Sequence, residues 1–398
     1  MTGLLELLKA SIKRNTKQYS MLIAVIVIWA VFTFLTEHVF LTPRNLSNLF
    51  VQTVTTAILA VGMVLVIVAG HIDLSVGSVL GFTGAICAIA MVRLGWGVFP
   101  SVLVTLAAGA AVGAWHGFWV AYRKVPSFIV TLASMLAFRG LIIGISGGQT
   151  IGLEMAPSTV AERFKPIGQG YLPTISAAAE GQLHDTSLYF VIILIAAYVL
   201  LAFRRRKARM QYGFPVLPLH AECLRLAFTC AAMAALGLIM VFYLGIPWSI
   251  LIVLALTLVL SFVAGNTTFG RHLYAIGGNA DAARLSGISV PRHTFGLFIV
   301  MGVLTALAGI VYTARLNAAT TSAGQNAELD AIAAAVIGGT SLAGGEGTIF
   351  GAIVGALVMT SLDNGMSLMN LDITYQYVIK GLILLLAVWA DMAQRKKT

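Results

Sequence analysis

Apolar segments alternate with short polar stretches along the whole chain. We count twelve such segments, against the rule that a membrane span needs about 20 apolar residues. They cover residues 21–37, 54–70, 75–91, 101–122, 127–145, 187–203, 224–243, 248–265, 294–314, 329–344, 348–363 and 374–391. Because several are short, the pattern predicts an all-α polytopic membrane protein with 10 to 12 transmembrane helices in one domain, residues 21–391.

Basic residues at the edges of these segments predict the orientation of the chain. Lys9, Lys13, Arg14 and Lys17 precede the first segment, so the positive-inside rule places residues 1–20 in the cytosol. No small-residue cleavage site follows, and we expect the first segment to be an uncleaved span. Alternate counting then puts every other large basic cluster inside: residues 123–124, residues 204–209, a cytosolic loop at about 266–293, and a cytosolic tail at 392–398.

One long polar stretch, at about residues 146–186, falls on the outside in this count. It contains Pro157, Pro166 and Pro173, together with charges of both signs. A connection of this length is usually either functional or disordered. We therefore expect this stretch to form an external docking surface.

Composition excludes several other classes of protein. Hydrophobic residues make up 59% and charged residues 10% of the 398 residues, and the mean hydropathy of +0.93 is far from that of a soluble domain. The net charge of +10 reflects topology rather than nucleic-acid binding, because the basic residues cluster at segment edges. Cys87, Cys223 and Cys230 indicate neither a disulfide framework nor a metal site, and no cofactor is expected.

A polar island interrupts the apolar pattern between the eighth and ninth segments. Asn279 is a favourable N-cap and Gly287 a favourable residue just past a helix end, which predicts a helix of about two turns. So short a helix is marginal in water unless it docks onto something. Ala282, Ala283 and Ser286 give it a small, smooth face that another protein could cover, although an ordinary inter-helix loop is the alternative.

Glycine spacing and internal symmetry indicate close helix packing. Two triplets of glycines at four-residue spacing each line one face of a predicted span. Such glycine stripes let helices approach closely, and packing within one subunit is favoured over a dimer seam. Residues 70–78 and 328–332 each break between two spans and contain an acidic residue that is followed by a glycine-rich run, which indicates a weak inverted repeat. Interrupted helices in such pairs often mark a transport path. The glycine stripes are Gly109, Gly113 and Gly117, and Gly347, Gly351 and Gly355.

Acidic residues beside the two interruptions are functional candidates by default. Asp73, followed by Ser75, either caps the next helix or lines the substrate path. Glu328 and Asp330 precede another span and allow the same two interpretations. His71 lies two residues before Asp73, which is too little for a metal site.

Four further polar residues lie within or near predicted spans. Asp363 and Asn364, followed by glycine, predict a turn at the outer face, with helix capping as the favoured role. Arg139 and Lys380 are placed either to snorkel to the membrane surface or to pair with one of the carboxylates.

No catalytic motif is present in the sequence. The glycine-rich stretch at residues 338–347 lacks the G-x-x-x-x-G-K-[ST] pattern of a Walker A loop. Paired magnesium-binding aspartates, a zinc-binding helix and a Gly-x-Ser-x-Gly elbow are missing as well. The chain is therefore expected not to be an enzyme, and any ATP that drives it must bind another subunit.

Several motifs spread over nearly the whole chain carry a family resemblance. They are AVGM at 60–63, IDLSVGS at 72–78, VPSFIVTL at 125–132 with Arg139-Gly140, YAIGGN at 274–279 with AARLSGI at 282–288, and ELDAI at 328–332 with GGTSLAGG at 338–345. With them the chain resembles the permease subunits of ABC importers for ribose, xylose and related monosaccharides. AYRKVP at 121–126, SLDNGMS at 361–367 and an extra pair of spans near 187–243 are most similar to the xylose permeases.

The resemblance implies a fold like that of type II ABC importers, with broken helices, in the bacterial inner membrane. It further implies a homodimer surrounded by lipid, a cytosolic ATPase, and a periplasmic sugar-binding protein that delivers D-xylose. The polar island would then be the helix that couples to the ATPase, and the residues carried over are Gly277, Asn279, Ala282, Ala283, Ser286 and Gly287.

Two departures from the family pattern and one rival function remain. His116 stands where the family usually has asparagine, and Glu346 adds a charge to a glycine turn. From the residues alone, a proton-coupled secondary sugar transporter that uses Asp73, Asp330 and Asp363 is the alternative.

Overall fold

The computed structural model describes residues 16–175 and 183–395, and almost all secondary structure in them is helical. By length and composition, eight of these helices can cross a membrane, and three shorter apolar helices accompany them. The prediction of an all-α polytopic membrane protein is confirmed. Of the predicted terminal segments, residues 1–20 and 392–398, the parts at 1–15 and 396–398, with Lys9, Lys13 and Arg14, lie outside the described residues.

Sixteen helices and two short strands follow one another in the described residues. In chain order they are α1 (Thr16–Leu35), α2 (Pro43–Val68), α3 (Val76–Val92), α4 (Val98–Gly117), α5 (Ser127–Ser146), β1 (Ile151–Gly152), α6 (Ser158–Phe164), α7 (Pro166–Gln169), α8 (Asp185–Gln211), α9 (Leu219–Val241), α10 (Trp248–Asn266), α11 (Thr268–Gly278), α12 (Ala280–Leu285), α13 (Val290–Leu316), β2 (Ala318–Ala319), α14 (Ala327–Ile337), α15 (Ile349–Leu368) and α16 (Ile373–Arg395). Single turns of 3₁₀ helix at Val39–Leu41 and Leu153–Met155 and of π-helix at Phe118–Tyr122 accompany them.

Each predicted apolar segment contains a helix, but α14, the helix of the tenth segment, is much shorter than that segment. The apolar pattern ran to residue 344, whereas α14 ends at Ile337. Beyond it, Gly339, Gly344 and Gly345 have φ values of 85°, 87° and 75°. Glycine adopts this left-handed backbone without strain, and a right-handed helix cannot contain it. The tenth segment is therefore a half-helix followed by a glycine turn.

The centre of the fold is built from α2, α13 and α15. α2 packs against α13, α14 and α15, and α13 packs along α4 and α3. All three central helices are buried over most of their length. α5, α8, α9 and α10 instead expose many large apolar side chains, as lipid-facing helices do.

The first glycine stripe lies in the contact between α4 and α13. A Cβ atom added at Gly109 would lie 2.5 Å from the Cβ of Ala306, and one at Gly113 would lie 2.7 Å from the Cα of Ile299. Only glycine leaves room for backbones this close. The prediction that this stripe packs within the subunit is confirmed.

The second glycine stripe also packs within the chain, although one of its members lies outside the helix. A Cβ at Gly355 on α15 would lie 3.0 Å from the Cα of Ala334 on α14. Gly347 lies ahead of α15, whose N-cap is Thr348, so its predicted place on that helix was wrong. The Thr348 side chain accepts the N–H of Gly351 and begins the helix at that point.

The first predicted interruption is present. The second lies earlier than predicted, because residues 328–332 are inside α14 and the break ends at residue 326. α5 contacts both breaks. At the first, between α2 and α3, the N–H of Ile72 donates to Ser127 Oγ over 3.2 Å and the N–H of Leu74 donates to Thr131 Oγ1 over 3.0 Å. Backbone that leaves a helix within a membrane needs such partners because lipid offers none. One end of α5 therefore stabilises the first break.

The second interruption, between α13 and α14, is held further along the same helix. Arg139 Nη1 on α5 donates to the carbonyl oxygens of Ala323, at 2.9 Å, and Thr321, at 3.4 Å. Among the described residues, the hydrogen bonds of Arg139 go to these backbone carbonyl groups and not to a carboxylate. α5 joins the two breaks, and no feature of the sequence predicted this role.

The predicted external stretch has structure of its own in the part that is described. β1 pairs antiparallel with β2, with Ile151 opposite Ala319. α6 and α7 follow, and Gln169 Nε2 donates to the carbonyl oxygen of Arg315 at the end of α13 over 2.7 Å. Residues 176–182 of the stretch lie outside the described residues. The described part is a cap packed on the end of α13.

Candidate functional site

The polar island folds as the short helix α12, as its capping residues predicted. Asn279 Oδ1 accepts the N–H of Ala282 at 2.9 Å, and Gly287 follows the helix with a φ of 86°. These are the N-cap and the left-handed terminal glycine that stop a helix at its two ends. With six residues, α12 makes somewhat less than the two turns expected.

The exposed face of α12 differs from the prediction at one position. Ala282 and Ser286 are exposed, but Ala283 is buried against the rest of the chain, with 4% of its surface exposed. The side chain that accompanies Ala282 and Ser286 is Leu285, which is 87% exposed. Positions three and four apart share a helix face, so this spacing could have identified Leu285 beside Ala282, whereas the burial of Ala283 depends on the fold.

Backbone contacts mount α11 and α12 on the ends of the central helices. The N–H of Gly345 donates to the carbonyl of Val68, the last residue of α2, over 2.8 Å. Gly277 lies so close to the same carbonyl that a Cβ there would collide with it. Tyr274 Oη donates to the carbonyl of Gly347, just before α15, over 2.8 Å. A displacement of α12 would therefore reach α2 and the start of α15 through α11.

A pair of histidines fastens α11 to the start of α13. His272 Nδ1 and His293 Nε2 lie 2.9 Å apart, and His293 Nδ1 lies 2.8 Å from the carbonyl oxygen of Ser289. The His293 ring stacks on Phe269 with a centroid distance of 5.8 Å. This contact holds the two ends of the α11–α12 unit together, and the sequence had shown these histidines only as part of a polar loop.

Asp73 lies at the first break and is almost fully buried. Its Oδ1 accepts the N–H of Ser75 at 2.9 Å and the Ser75 hydroxyl at 2.6 Å. Ser75 is the N-cap residue of α3, and its own side chain makes no capping bond. His116 on α4 lies with Nδ1 4.0 Å from Asp73 Oδ2, and His116 Nε2 has no hydrogen-bond partner among the described residues. Asp73 therefore stabilises the backbone just before α3, beside the buried imidazole of His116.

Glu328 brings the second break against the first. It lies in the first turn of α14, is 7% exposed, and has no hydrogen-bond partner for Oε2 among the described residues. A Cβ at Gly77, in the first turn of α3, would lie 3.4 Å from the Glu328 Cδ. The starts of α3 and α14 thus face each other with acidic side chains beside them, which suits the positive ends of helices.

Asp330 and Asp363 share a single ammonium group on α16. Lys380 Nζ lies 2.8 Å from Asp330 Oδ1 and 3.1 Å from Asp363 Oδ1. Of the two interpretations of Lys380, pairing with a carboxylate is therefore the one observed. The predicted turn at Asp363 and Asn364 was wrong, because both residues lie inside α15. Asn364 instead exchanges two hydrogen bonds with Asn45 on α2, at 2.9 and 3.1 Å.

These clusters offer hydrogen bonds and charge rather than bond-breaking chemistry. In the described part of the chain, no three His, Cys, Asp or Glu side chains are grouped so that they could hold a metal ion. The arrangement can position two half-helices and transmit motion to them from α12.

Comparison with known proteins decides the family. The family model described as branched-chain amino acid transport system / permease component matches residues 45–214 and 226–388. The chain belongs to this permease family. The matched residues of the permease include α12, both breaks and all of the buried charges described above.

The permease has relatives of similar length that are named for pentoses. It is 46% identical to the xylose transport system permease protein XylH of Haemophilus influenzae, over 96% of this chain and 98% of that protein. It is 47% identical to XylH of Escherichia coli K12, over 96% and 94% of the two chains. The ribose import permease protein RbsC of E. coli K12 is 35% identical, over 93% and 92%. No solved structure matches the permease.

Proposed function

We propose that the permease is the membrane subunit of an ATP-driven D-xylose importer in the bacterial inner membrane. Sequence similarity carries this proposal, because identity to the xylose permeases is 46–47% and identity to a ribose permease is 35%, over nearly complete chains in both cases. The family description names branched-chain amino acids, whereas these relatives are named for pentoses. Sugar import therefore fits the chain better than amino-acid import.

In this proposal a cytosolic ATPase docks on α12. Ala282, Leu285 and Ser286 present one small, partly apolar face, and a short helix with such a face suits a groove on a partner. The sequence has no Walker A motif, so the nucleotide belongs to the partner. Gly277 and the bond between Gly345 and Val68 would pass the motion of the docked helix to α2.

The facing starts of α3 and α14 are the proposed moving part of the sugar path. Asp73 and Glu328 stand beside these starts, and α5 holds the backbone at both breaks. Alternating access would shift the two half-helices relative to each other, with a homodimer enclosing the path and a periplasmic binding protein delivering sugar at the α6–α7 cap. Selectivity would lie mainly in that binding protein.

A growth experiment tests the proposed substrate. The host is a bacterial strain that lacks its own xylose permease but keeps the ATPase and binding protein of that system. When this chain is expressed there together with its own partner genes, the strain should grow on a low concentration of D-xylose. The matched control is the corresponding strain that lacks its ribose permease, grown on D-ribose. Rescue on ribose but not on xylose would overturn the assignment of the sugar.

A docking experiment tests the coupling site. Leu285→Gln should weaken binding of the ATPase to the solubilised permease by about ten- to a hundredfold, the factor expected when a leucine contact is lost. Leu285→Met, which keeps an apolar side chain, and Arg284→Gln, on the same helix but off this face, should bind nearly normally. If Leu285→Gln binds the ATPase as tightly as these two controls, α12 does not dock through this face.

A second candidate function is a proton-coupled secondary sugar transporter. The observation that favours it is the sharing of one Lys380 ammonium between Asp330 and Asp363, which leaves this cluster with one more negative than positive group. The two candidate functions differ in one expectation: a proton-coupled transporter needs neither an ATPase nor a binding protein, whereas an ATP-driven importer needs both.

A further inference from the structure

The helix pair α8–α9 stands apart from the proposed transport path. Of the eight long apolar helices in the described residues, α8 is the least buried, and it packs chiefly on α9. The pair joins the rest of the fold mainly near one end, around Val241 and Ile246. It contributes nothing to the two breaks or to α12. The outward surface of α8 therefore calls for a separate explanation.

α8 is longer than the membrane requires. Its 27 residues span about 40 Å at about 1.5 Å per residue, against a hydrocarbon core of about 30 Å. The apolar part, residues 188–203, is followed by eight mostly polar residues up to Gln211. These last two turns lie at headgroup level, on the side that the positive-inside rule makes cytosolic.

Positive charge is concentrated on these turns. Glu222 is the only acidic residue between positions 204 and 225, and it binds Arg225 at 2.5 Å and lies 3.9 Å from Arg206. Arg206 Nη1 also donates to the carbonyl of Leu217 over 2.6 Å, which fixes its position. The basic side chains not held in this way are exposed: Arg204, Arg205, Lys207 and Arg209.

A shallow groove runs along this end of α8. Phe203 stands at its membrane end, and the basic and amide groups follow towards the cytosolic end. Tyr212 and Phe214, 78% and 60% exposed, come directly after it, as interfacial aromatic residues do. The groove is lined by Phe203, Arg206, Lys207, Met210 and Gln211.

We propose that this groove binds the headgroup of an anionic phospholipid. The phosphate would contact Lys207 and Gln211 beside the fixed Arg206, and an acyl chain would lie along Phe203. Phosphate and basic side chains attract strongly at the edge of a membrane, and basic pockets on the cytosolic side are typical of such lipid sites. A second copy of this chain fits poorly, because a two-fold contact would bring two basic patches together.

Lipid selectivity of the full-length permease tests this site. Vesicles of phosphatidylcholine that contain the protein receive traces of spin-labelled phosphatidylglycerol or spin-labelled phosphatidylcholine, and electron paramagnetic resonance gives the ratio of their association constants. We expect a ratio above one for the unmodified protein. Lys207→Gln should lower it by about fivefold, the factor for one charge at the membrane surface, and high salt should lower it further.

Arg205→Gln is the matched control, because Arg205 belongs to the same basic cluster but does not line the groove. It should lower the ratio clearly less than Lys207→Gln, and Lys207→Arg should keep it near the original value. At least four of the five basic residues at 204–209 remain in each variant, so topology is preserved. Equal losses in Lys207→Gln and Arg205→Gln, or no preference in the unmodified protein, would overturn the site.

Discussion

Lys380, Asp330 and Asp363 come from three different helices and meet at a single ammonium group. In surroundings of low dielectric constant, an ammonium between two carboxylates removes repulsion that would otherwise separate them. Each of the two carboxylates is therefore stable only while Lys380 remains. The cluster ties α14, the half-helix at the second break, to α15 and α16.

Lys380→Met should destabilise the permease by about 2–3 kcal/mol, less than for a fully buried pair because these side chains keep some exposure. Adding Asp363→Asn to Lys380→Met should restore part of the loss, since one of the two unpaired charges is then gone. The measurement is the apparent unfolding temperature in detergent micelles. A double variant that loses as much as the sum of the single variants would contradict the charge cluster.

Single residues were the least predictable part of the molecule. Asp363 and Asn364 have the local preference of a turn, yet Asn45 on a distant helix and Lys380 decide their place in α15. Ala283 was assigned to the docking face because it is small, and the fold turns it inward. Capping was predictable at Asn279, because an N-cap depends only on residues within the same turn.

At the scale of elements, α5 is the link between the two interruptions. Its first turns accept backbone N–H groups from the first break, and Arg139 donates to carbonyl groups in the second. A helix that satisfies both breaks fixes their distance. Changes in α5 should therefore affect both half-helices together.

Arg139→Met should lower stability by about 1–3 kcal/mol, because the carbonyl groups of residues 321 and 323 lose a charged donor away from water. Arg93→Met is the control: Arg93 also donates to two carbonyls, at residues 145 and 146, but at an exposed helix end where water can replace it. The apparent unfolding temperature and sugar uptake are measured for both. Equal losses would show that Arg139 does not hold the break.

The existence of the apolar helices could be predicted because lipid requires a hydrogen-bonded backbone and apolar side chains. Their lengths could not always be predicted. Hydropathy counts Leu342 and Ala343 as part of the tenth span, whereas the left-handed glycines on both sides of them form a turn. The first interruption was visible, because an acidic residue is unusual within an apolar run, whereas the second was placed a few residues too late, inside α14.

At the scale of the whole molecule, contacts between distant elements connect α12, the proposed docking site of the ATPase, with the proposed sugar path. α11, which leads into α12, contacts α2 at Gly277, and the starts of α3 and α14 meet near Gly77. The sequence indicated each part separately but not their contact, since such contacts depend on the tertiary fold. The cap formed by α6 and α7 at the end of α13 was likewise expected only as a long polar stretch.

The α6–α7 cap should receive part of the binding protein. Glu162 and Arg163 are exposed on α6, and Lys165 is exposed just after it. Charge reversal at these positions should weaken the stimulation of ATP hydrolysis by sugar-loaded binding protein, more at low than at high salt, because such charges mainly steer association. Basal hydrolysis should not change. Unaltered stimulation in all three variants at both salt concentrations would move the delivery surface elsewhere.

In the proposed function, ATP bound to a partner subunit drives D-xylose through this chain. Uptake of radiolabelled D-xylose is measured in sealed vesicles that contain the permease and its ATPase, oriented for external addition of the binding protein. Uptake should require the binding protein outside and ATP inside, and it should persist when a protonophore removes any proton gradient. Uptake by the permease alone under a proton gradient, without ATP and binding protein, would contradict the account and establish the secondary transporter instead.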